Sequence, residues 1–427
     1  MSATQDRAAA TTVALLEDLF AGYHPRDFAV RLWNGSALEP ETGDAPRFTL
    51  VLRHPGALRA LLGAPSEVAL AEAYLFDDVD VEGDAEALIR LGDHLLVDHR
   101  PGVGARLRHT GRLRSLPSDG RPREGRQAAR LAGRRSTIER DRAAARYHYD
   151  LGNDFFELFL DRWMAYSCAY FEREDEDLDT AQVRKFDYVC RKLRLRPGER
   201  LFDLGCGWGG LVIHAAKNYG VEALGVTLSV NQVKLARERI REAGLDDRCR
   251  VEVRDYREVD ETEGFDKIAS IGMFEHVRSD ALVPYFEHVH RLLRPGGVLL
   301  NHAIHRLHDA PRRGASFMDR YVFPDYEVHP LSTALRAAEA VGWEVRDVES
   351  LREHYVLTTR HWLRRLEERH DEVVAAADEV AYRVWRLGFA GSAYGFATGR
   401  VTLFQTLLAK PRDGISGLPL QRADWYA

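Results

Sequence analysis

The chain has 427 residues, 45% of them hydrophobic and 30% charged, and a formal net charge of −6 at pH 7. This is ordinary globular usage with length for two or three domains, and the mild charge points to no partner by itself. No apolar run reaches the roughly 18 residues that a membrane-spanning helix needs, and the N-terminus carries Asp6, Arg7, Glu17 and Asp18, unlike a secretory signal. Cys168, Cys190, Cys206 and Cys249 form no C-x-x-C pair, so neither a metal site nor a disulfide framework is expected, and a reducing cytoplasm fits.

Residues 1–98 read as a small α/β unit. An amphipathic helix includes 15–20, strands are expected at 28–33 and 48–52 with a turn at Asn34-Gly35, and short helices at 55–62 and 70–75. Residues 99–146 differ in kind. They hold 14 arginines and four acids, a local charge of about +10, and glycine and proline interrupt them. They are expected to form an Arg-rich linker, either a solvated connector or a basic patch that meets anionic lipid headgroups. Almost no aromatic residues are present for base stacking, so no nucleic-acid partner is expected.

Residues 147–427 read as one large α/β domain. Strand-like runs at 200–204, 222–226, 250–253, 267–271 and 297–300 alternate with helical ones, and a late strand is expected at 401–408. That alternation predicts a doubly wound, mainly parallel sheet.

The run Asp203-Leu204-Gly205-Cys206-Gly207-Trp208-Gly209-Gly210 joins a strand to a helix. Its glycines allow a sharp turn and a close ligand approach. The spacing is G-x-G-x-G rather than the dinucleotide G-x-G-x-x-G, and no Lys-Ser/Thr pair makes it a P-loop. The next strand ends at Val226-Thr227-Leu228-Ser229 without an acid, so Thr227, Ser229 and Gln232 are expected to supply polar contacts to a bound nucleoside. Asp255 closes the third strand, where it would approach the base.

These segments carry a resemblance. The glycine run with 225–229, Tyr149-Asp150-Leu151-Gly152-Asn153-Asp154-Phe155-Phe156 and Met164-Ala165-Tyr166-Ser167-Cys168-Ala169-Tyr170-Phe171 are similar to the cyclopropane-fatty-acyl-phospholipid synthase family. So are Gly272-Met273-Phe274-Glu275-His276-Val277 and Phe317-Met318-Asp319-Arg320-Tyr321-Val322-Phe323-Pro324. The resemblance is strong over about 147–410. It implies a seven-stranded class I methyltransferase (Rossmann-like) fold, S-adenosyl-L-methionine as cofactor, a phospholipid acyl double bond as substrate and bicarbonate in the active site. Carried over residue by residue, the bicarbonate site is Cys168, Glu275, His302, Ile304 (through its backbone) and Tyr355. Cofactor contacts fall on Tyr166, Ser167, Gly205, Thr227, Leu228 and Gln232, to which Asp203, Gly207, Gly209 and Asp255 are added from the loop and strand ends. Ser392 stands where some members carry a cysteine. The acidic run Asp325-Tyr326-Glu327 resembles the actinobacterial branch that makes tuberculostearic-type, 10-methylene fatty acids.

An isolated alkene is a weak nucleophile, so the resemblance implies strict alignment with the sulfonium methyl, followed by a carbocation that must be kept from water. Tyr170, Phe171, Phe274, Tyr321 and Phe323 are candidates to face that cation. Loss of a proton then gives a cyclopropane or a mid-chain methylene, and the latter becomes a methyl branch with a partner reductase. His276, His305 and His308 are expected to be secondary. The competing readings are a small-molecule O- or N-methyltransferase and a non-catalytic lipid-binding protein on the same fold. The expected setting is peripheral, at the inner face of the membrane, with a homodimer compatible with it.

Overall fold

Continuous apolar runs bounded by charged helices fold as strands covered on both faces. The computed structural model describes residues 3–63, 66–98, 102–118, 123–307 and 316–426; His308 lies outside them. Two compact units emerge.

The larger unit comprises Ala129–Pro311, Phe323–Ala376 and Gly395–Ala427. Its strands are β1 (Arg200–Asp203), β2 (Glu222–Thr227), β3 (Cys249–Val253), β4 (Phe265–Ile271), β5 (Leu293–Arg306), β6 (Glu344–Ser350) and β7 (Val401–Ala409). They run in the order β3-β2-β1-β4-β5-β7-β6, and the two-residue strand His329–Pro330 pairs with the end of β5. The pairs from β3 through β5 are parallel, while β7 is antiparallel to both β5 and β6. Helices Leu178–Leu193, Gly210–Tyr219 and Val230–Glu242 supply Val189, Leu193, Val212 and Ala236 to the core on one face. Leu282–Leu292 and Leu331–Glu339 supply Phe286, Val289 and Ala338 on the other. The sheet is therefore doubly wound, as expected. The chain leaves β1 towards β2 and returns at β4 on its far side, so the switch point, where such sheets bind ligands, lies between β1 and β4.

The smaller unit comprises Met1–Ala128, Arg312–Val322 and Ala377–Tyr394. Strands Ala29–Arg31, Ala37–Leu38, Phe48–Leu52 and Val79–Gly83 form its sheet, and Phe28 stacks on Phe48 with ring centroids 4.8 Å apart. The free edge of Val79–Gly83 is covered: Arg386 donates to the Val81 and Gly83 carbonyls, both at 2.9 Å. Tyr321 donates to Glu72 at 2.9 Å. These ties draw late segments onto an early sheet and the helix Glu67–Leu75, so the compact units do not divide at the expected residues 98 and 146. Within that expected linker, Val103–Ser115 is helical and Ile138–Tyr149 begins another helix.

Candidate active site

The glycine loop is built by close approach. Gly207 and Gly209 have φ of +52° and +83°, backbone that L side chains resist. A Cβ on Gly225 of β2 would lie 2.6 Å from Cys206 Cβ, so only glycine lets β2 pass beside the loop. The Cys206 N–H donates to Val226 O at 3.0 Å and the Leu204 N–H to Ala269 O at 3.0 Å, which pins the loop to β2 and β4. Asp203 accepts from the Gly205 N–H at 3.4 Å, and burial pushes its carboxyl up to about 7.

A cavity of about 210 Å³ opens over this loop. Tyr166, Ser167, Asp203, Gly205, Gly207, Thr227, Leu228, Gln232 and Asp255 all line it. Thr227 Oγ1 donates to Gln232 Oε1 at 2.5 Å. The Asp255 carboxylate is held by Arg257 at 2.7 and 2.8 Å and caps the turn Tyr256–Glu258. Two expected residues do other work. Gly209 is not part of the lining; it begins helix Gly210–Tyr219, where a Cβ would press on Ala236. Ser229 likewise caps helix Val230–Glu242 by accepting from the Gln232 N–H.

Of the aromatic candidates, only Phe323 lines the cavity. Phe274 packs in the core against Tyr285 and Phe286, Tyr170 stacks on His354, Phe171 stacks on His361, and Tyr321 belongs to the smaller unit. The sequence reading missed His148, which is buried, lines the cavity and stacks with Tyr166 and with Phe323, with centroids at 5.5 and 4.3 Å. His276 also lines the cavity, whereas His305 is tied to the His329 carbonyl. Lys185 was missed as well: with Gln182 and Lys192 it places three polar side chains on the buried face of an otherwise amphipathic helix. Polar residues on an apolar stripe were the signal that could have found it.

The five residues expected at the bicarbonate site lie outside this lining; Glu275 joins Ile304, which packs with Cys168 and Tyr355, and His302 precedes Ile304 by two residues on β5. Strand β4 runs into Ile271, Gly272 and Met273, which do line the cavity, and the Gly272 N–H donates to His302 O at 2.9 Å. Glu275 follows in a short 3-10 turn, and its Oε1 accepts from the Ile304 N–H at 2.7 Å. Alternation along β5 points His302 and Ile304 to one face. Cys168, Ile304 and Tyr355 pack in one cluster with Leu351 and Phe396.

Their electrostatics follow from burial. The Glu275 carboxyl is raised to about 7 by desolvation, opposed by the Ile304 N–H. Desolvation drives His302 well below its ordinary value, so its imidazole is neutral, and lifts the Cys168 thiol and the Tyr355 phenol well above theirs. Gln405 Nε2 faces His302 Nδ1 at 3.1 Å; with that nitrogen accepting, the imidazole proton sits on Nε2. Both His302 Nε2 and Glu275 Oε2 are buried without a hydrogen-bond partner. Cys168 Sγ lies 3.3 and 3.8 Å from the carbonyls of Ala169 and Leu351, the setting of an inert buried thiol rather than a nucleophile.

The mycolic acid cyclopropane synthetase family matches residues 136–406, and a domain of unknown function matches 15–92. The chain belongs to the mycolic acid cyclopropane synthetase family. A probable fatty acid methyltransferase of Pseudomonas putida is 40% identical over 403 residues, 93% of this chain and 95% of that protein. The solved cyclopropane synthase MmaA2 of Mycobacterium tuberculosis is 33% identical over 62% of this chain and 97% of its own, with a TM-score of 0.60. The mycolic acid cyclopropane synthase CmaA1, solved with SAH and CTAB, is 34% identical over the same shares, with a TM-score of 0.59. The expected class I methyltransferase fold is thus found, and the enzyme is an S-adenosylmethionine-dependent C-methyltransferase. Buried Asp203 and buried Lys185 both line the cavity over the glycine loop.

Proposed function

We propose that this synthetase-family enzyme adds one carbon to the double bond of an unsaturated acyl chain of a phospholipid. The relative from Pseudomonas putida, named for fatty acid methylation, supports an acyl substrate. The observation that carries the reading is that two of the residues expected to hold the anion, Glu275 through Oε2 and His302 through Nε2, each keep a buried polar atom without a partner. Buried polar atoms without partners cost roughly 1–3 kcal/mol each, so such a pair implies a polar guest. A bicarbonate ion fits by donor and acceptor type. Its oxygens would accept from His302 Nε2–H and the Tyr355 hydroxyl, and its own O–H would donate to Glu275 Oε2.

The cofactor supplies an electrophilic methyl group, and bicarbonate supplies a base that needs no charged side chain against the substrate. The chain's own residues align, orient and exclude water. The alkene π pair forms the new C–C bond as the S–CH₃ bond breaks, leaving a cation on the neighbouring carbon. The neutral His302 and the Tyr355 hydroxyl would hold such a base where a proton can leave. Loss of a proton from the new methyl, its C–H pair closing onto the adjacent cation, gives a cyclopropane; a 1,2-hydride shift that moves the cation to the methyl-bearing carbon, followed by proton loss from that same methyl, gives a mid-chain methylene of the 10-methylene stearoyl type. A methyl branch then requires a reductase that delivers hydride. Phe323, Tyr166 and His148 line the cavity and pack on one another, and a ring face turned to the cation would stabilise it.

The test is mass spectrometry of fatty acid methyl esters from a host fed oleate, with the native chain and with Glu275→Gln. A gain of one CH₂ that the variant lacks is expected, and fragmentation separates ring from methylene. No added carbon from the native chain would move the reading to another acceptor, such as a small-molecule O or N atom. Lipid bound without change would make the chain a lipid-binding protein.

No helix of the described residues is long and apolar enough to cross a membrane, and contact at the surface is proposed instead. Helix Val103–Ser115 exposes Val103 and Leu107, at 76% and 69%, alongside Arg106, Arg108 and Arg114. Each arginine near an anionic surface contributes about 1 kcal/mol. Changing Arg106, Arg108, Arg112 and Arg114 to Gln should lower activity on anionic vesicles several-fold at low salt and less at high salt. Equal activity at every salt concentration would sink the docking idea.

A further inference from the structure

Lys185 is a buried lysine that the reaction as described does not use. It is 1% exposed, on the inner face of helix Leu178–Leu193. Its Nζ donates to Ser167 Oγ at 2.9 Å and sits 4.2 Å from the Phe186 ring centroid. Asp161, Asp203 and Cys168 are the acidic groups whose charges it feels, yet it forms no ion pair among the described residues. An ammonium removed from water without a counter-ion is costly, so the position calls for an anion. Lys185 and Ser167 both line the cavity over the glycine loop.

Proton bookkeeping fixes what the pair offers. An ammonium only donates, so Ser167 Oγ accepts from Lys185. The serine's own O–H is then free to donate towards the cavity. The same helix locks the serine's backbone: Gln182 Nε2 donates to the carbonyls of Ala165 and Ser167, at 3.1 and 2.8 Å. The loop carrying Ser167 is thus held from one helix face by two polar residues three apart. Burial lowers the lysine to about 8, which leaves it mostly charged at neutral pH; a carboxylate nearby would favour that form further.

We infer that Lys185 is a positioning residue for the cofactor's carboxylate: it orients the Ser167 hydroxyl as a donor to that group and supplies its counter-charge. The inference rests on the cofactor occupying this cavity. It makes Lys185 and Ser167 one device that distinguishes an amino-acid-bearing nucleoside from one lacking the carboxylate.

The test is calorimetric binding of S-adenosylhomocysteine and of 5′-(3-aminopropylthio)-5′-deoxyadenosine, the same nucleoside without its carboxylate, to the full chain. Lys185→Met should weaken the first by about tenfold or more and leave the second within about twofold, so that discrimination collapses. Ser167→Ala, which leaves the lysine in place and is the safer variant for folding, should show the same selective loss to a smaller degree. Lys185→Arg, which keeps the charge, should restore part of the discrimination. Equal weakening of both ligands in Lys185→Met and Ser167→Ala, or no weakening in either, would overturn the role of Lys185 and leave the cofactor site standing. Failure of the unaltered chain to bind S-adenosylhomocysteine would overturn the site itself, and the inference with it.

Discussion

Two neighbouring regions of the larger unit are built on opposite principles. In the glycine loop the polar groups of the backbone are matched: the Leu204 and Cys206 N–H groups have strand carbonyls, and the Thr227 hydroxyl has Gln232. Glycines there permit close approach, and the space above is an open cavity. The cluster of Glu275, His302, Ile304 and Tyr355 is enclosed, and it leaves Glu275 Oε2 and His302 Nε2 unmatched. The first region offers backbone beside open space; the second offers unmatched polar atoms among an imidazole, a thiol and a phenol that burial keeps neutral. The contrast separates binding from chemistry, so changes in the first should move affinity and changes in the second should move turnover.

The largest effect is expected at Glu275. Glu275→Gln should lower kcat by about 10²–10⁴, the range for groups that manage a proton in the transition state, while binding of S-adenosylhomocysteine stays within about twofold. A loss in affinity that matched the loss in turnover would erase the distinction between the regions.

The same variant has a second consequence, for stability. Glu275 titrates in the folded chain at about 7 rather than 4.5. A carboxyl raised on folding contributes stability that is fully present below its unfolded pKa and is lost as pH rises through the folded one. The native chain should therefore lose stability between about pH 4.5 and 7, and Glu275→Gln should not lose that part. Asp203, also raised to about 7, adds the same loss to both proteins and cancels from the difference. Denaturant unfolding should show the variant gaining on the native chain by roughly 2–3 kcal/mol from pH 5 to pH 8. A constant difference across that range would mean that Glu275 is not buried as described.

The two regions also differ in how far the sequence reveals them. The glycine loop, Thr227 and Gln232 follow from strand, turn and helix signals within about thirty residues, and the parallel sheet follows from the same alternation. The enclosed cluster joins residues more than a hundred apart in the chain, and only resemblance drew Cys168, Glu275, His302, Ile304 and Tyr355 together. Strand β6 went unread because Glu344–Ser350 is rich in charge, which hides the period of a strand, while Val79–Gly83 does alternate apolar and acidic residues but over too few positions to stand out. Arg386 and Tyr321 joining the smaller unit were likewise invisible, since side-chain ties to an early sheet leave no local pattern.

Gly225→Ala probes the binding region with a moderate effect. Its new Cβ would lie 2.6 Å from Cys206 Cβ and 2.7 Å from its Sγ. Overpacking of this kind costs about 1–3 kcal/mol, and relief would push the loop into the cavity. Thermal unfolding should fall, and S-adenosylhomocysteine binding should weaken with it. A variant with native affinity would show that β2 yields instead of the loop, and that the close approach at Gly225 does not shape the site.

The smallest effect tests the finest point of the comparison, the proton on His302. Gln405 is fully buried on β7, directly across from His302 in the strand register. Its amide nitrogen at 3.1 Å from Nδ1 keeps that nitrogen an acceptor and leaves the proton on Nε2. Gln405→Leu removes this preference without adding charge. It should cost turnover about three- to tenfold, the worth of one hydrogen bond, with cofactor affinity unchanged. Gln405→Glu should cost more, because a carboxylate there accepts from Nδ1–H and turns Nε2 into an acceptor facing an anion. That ranking, native above Leu above Glu, separates a tautomer from a packing effect: Glu is nearly the shape of Gln, and packing alone would place it above Leu. If Glu proves the milder change, His302 does not act as a donor, and the enclosed region holds its guest by other groups.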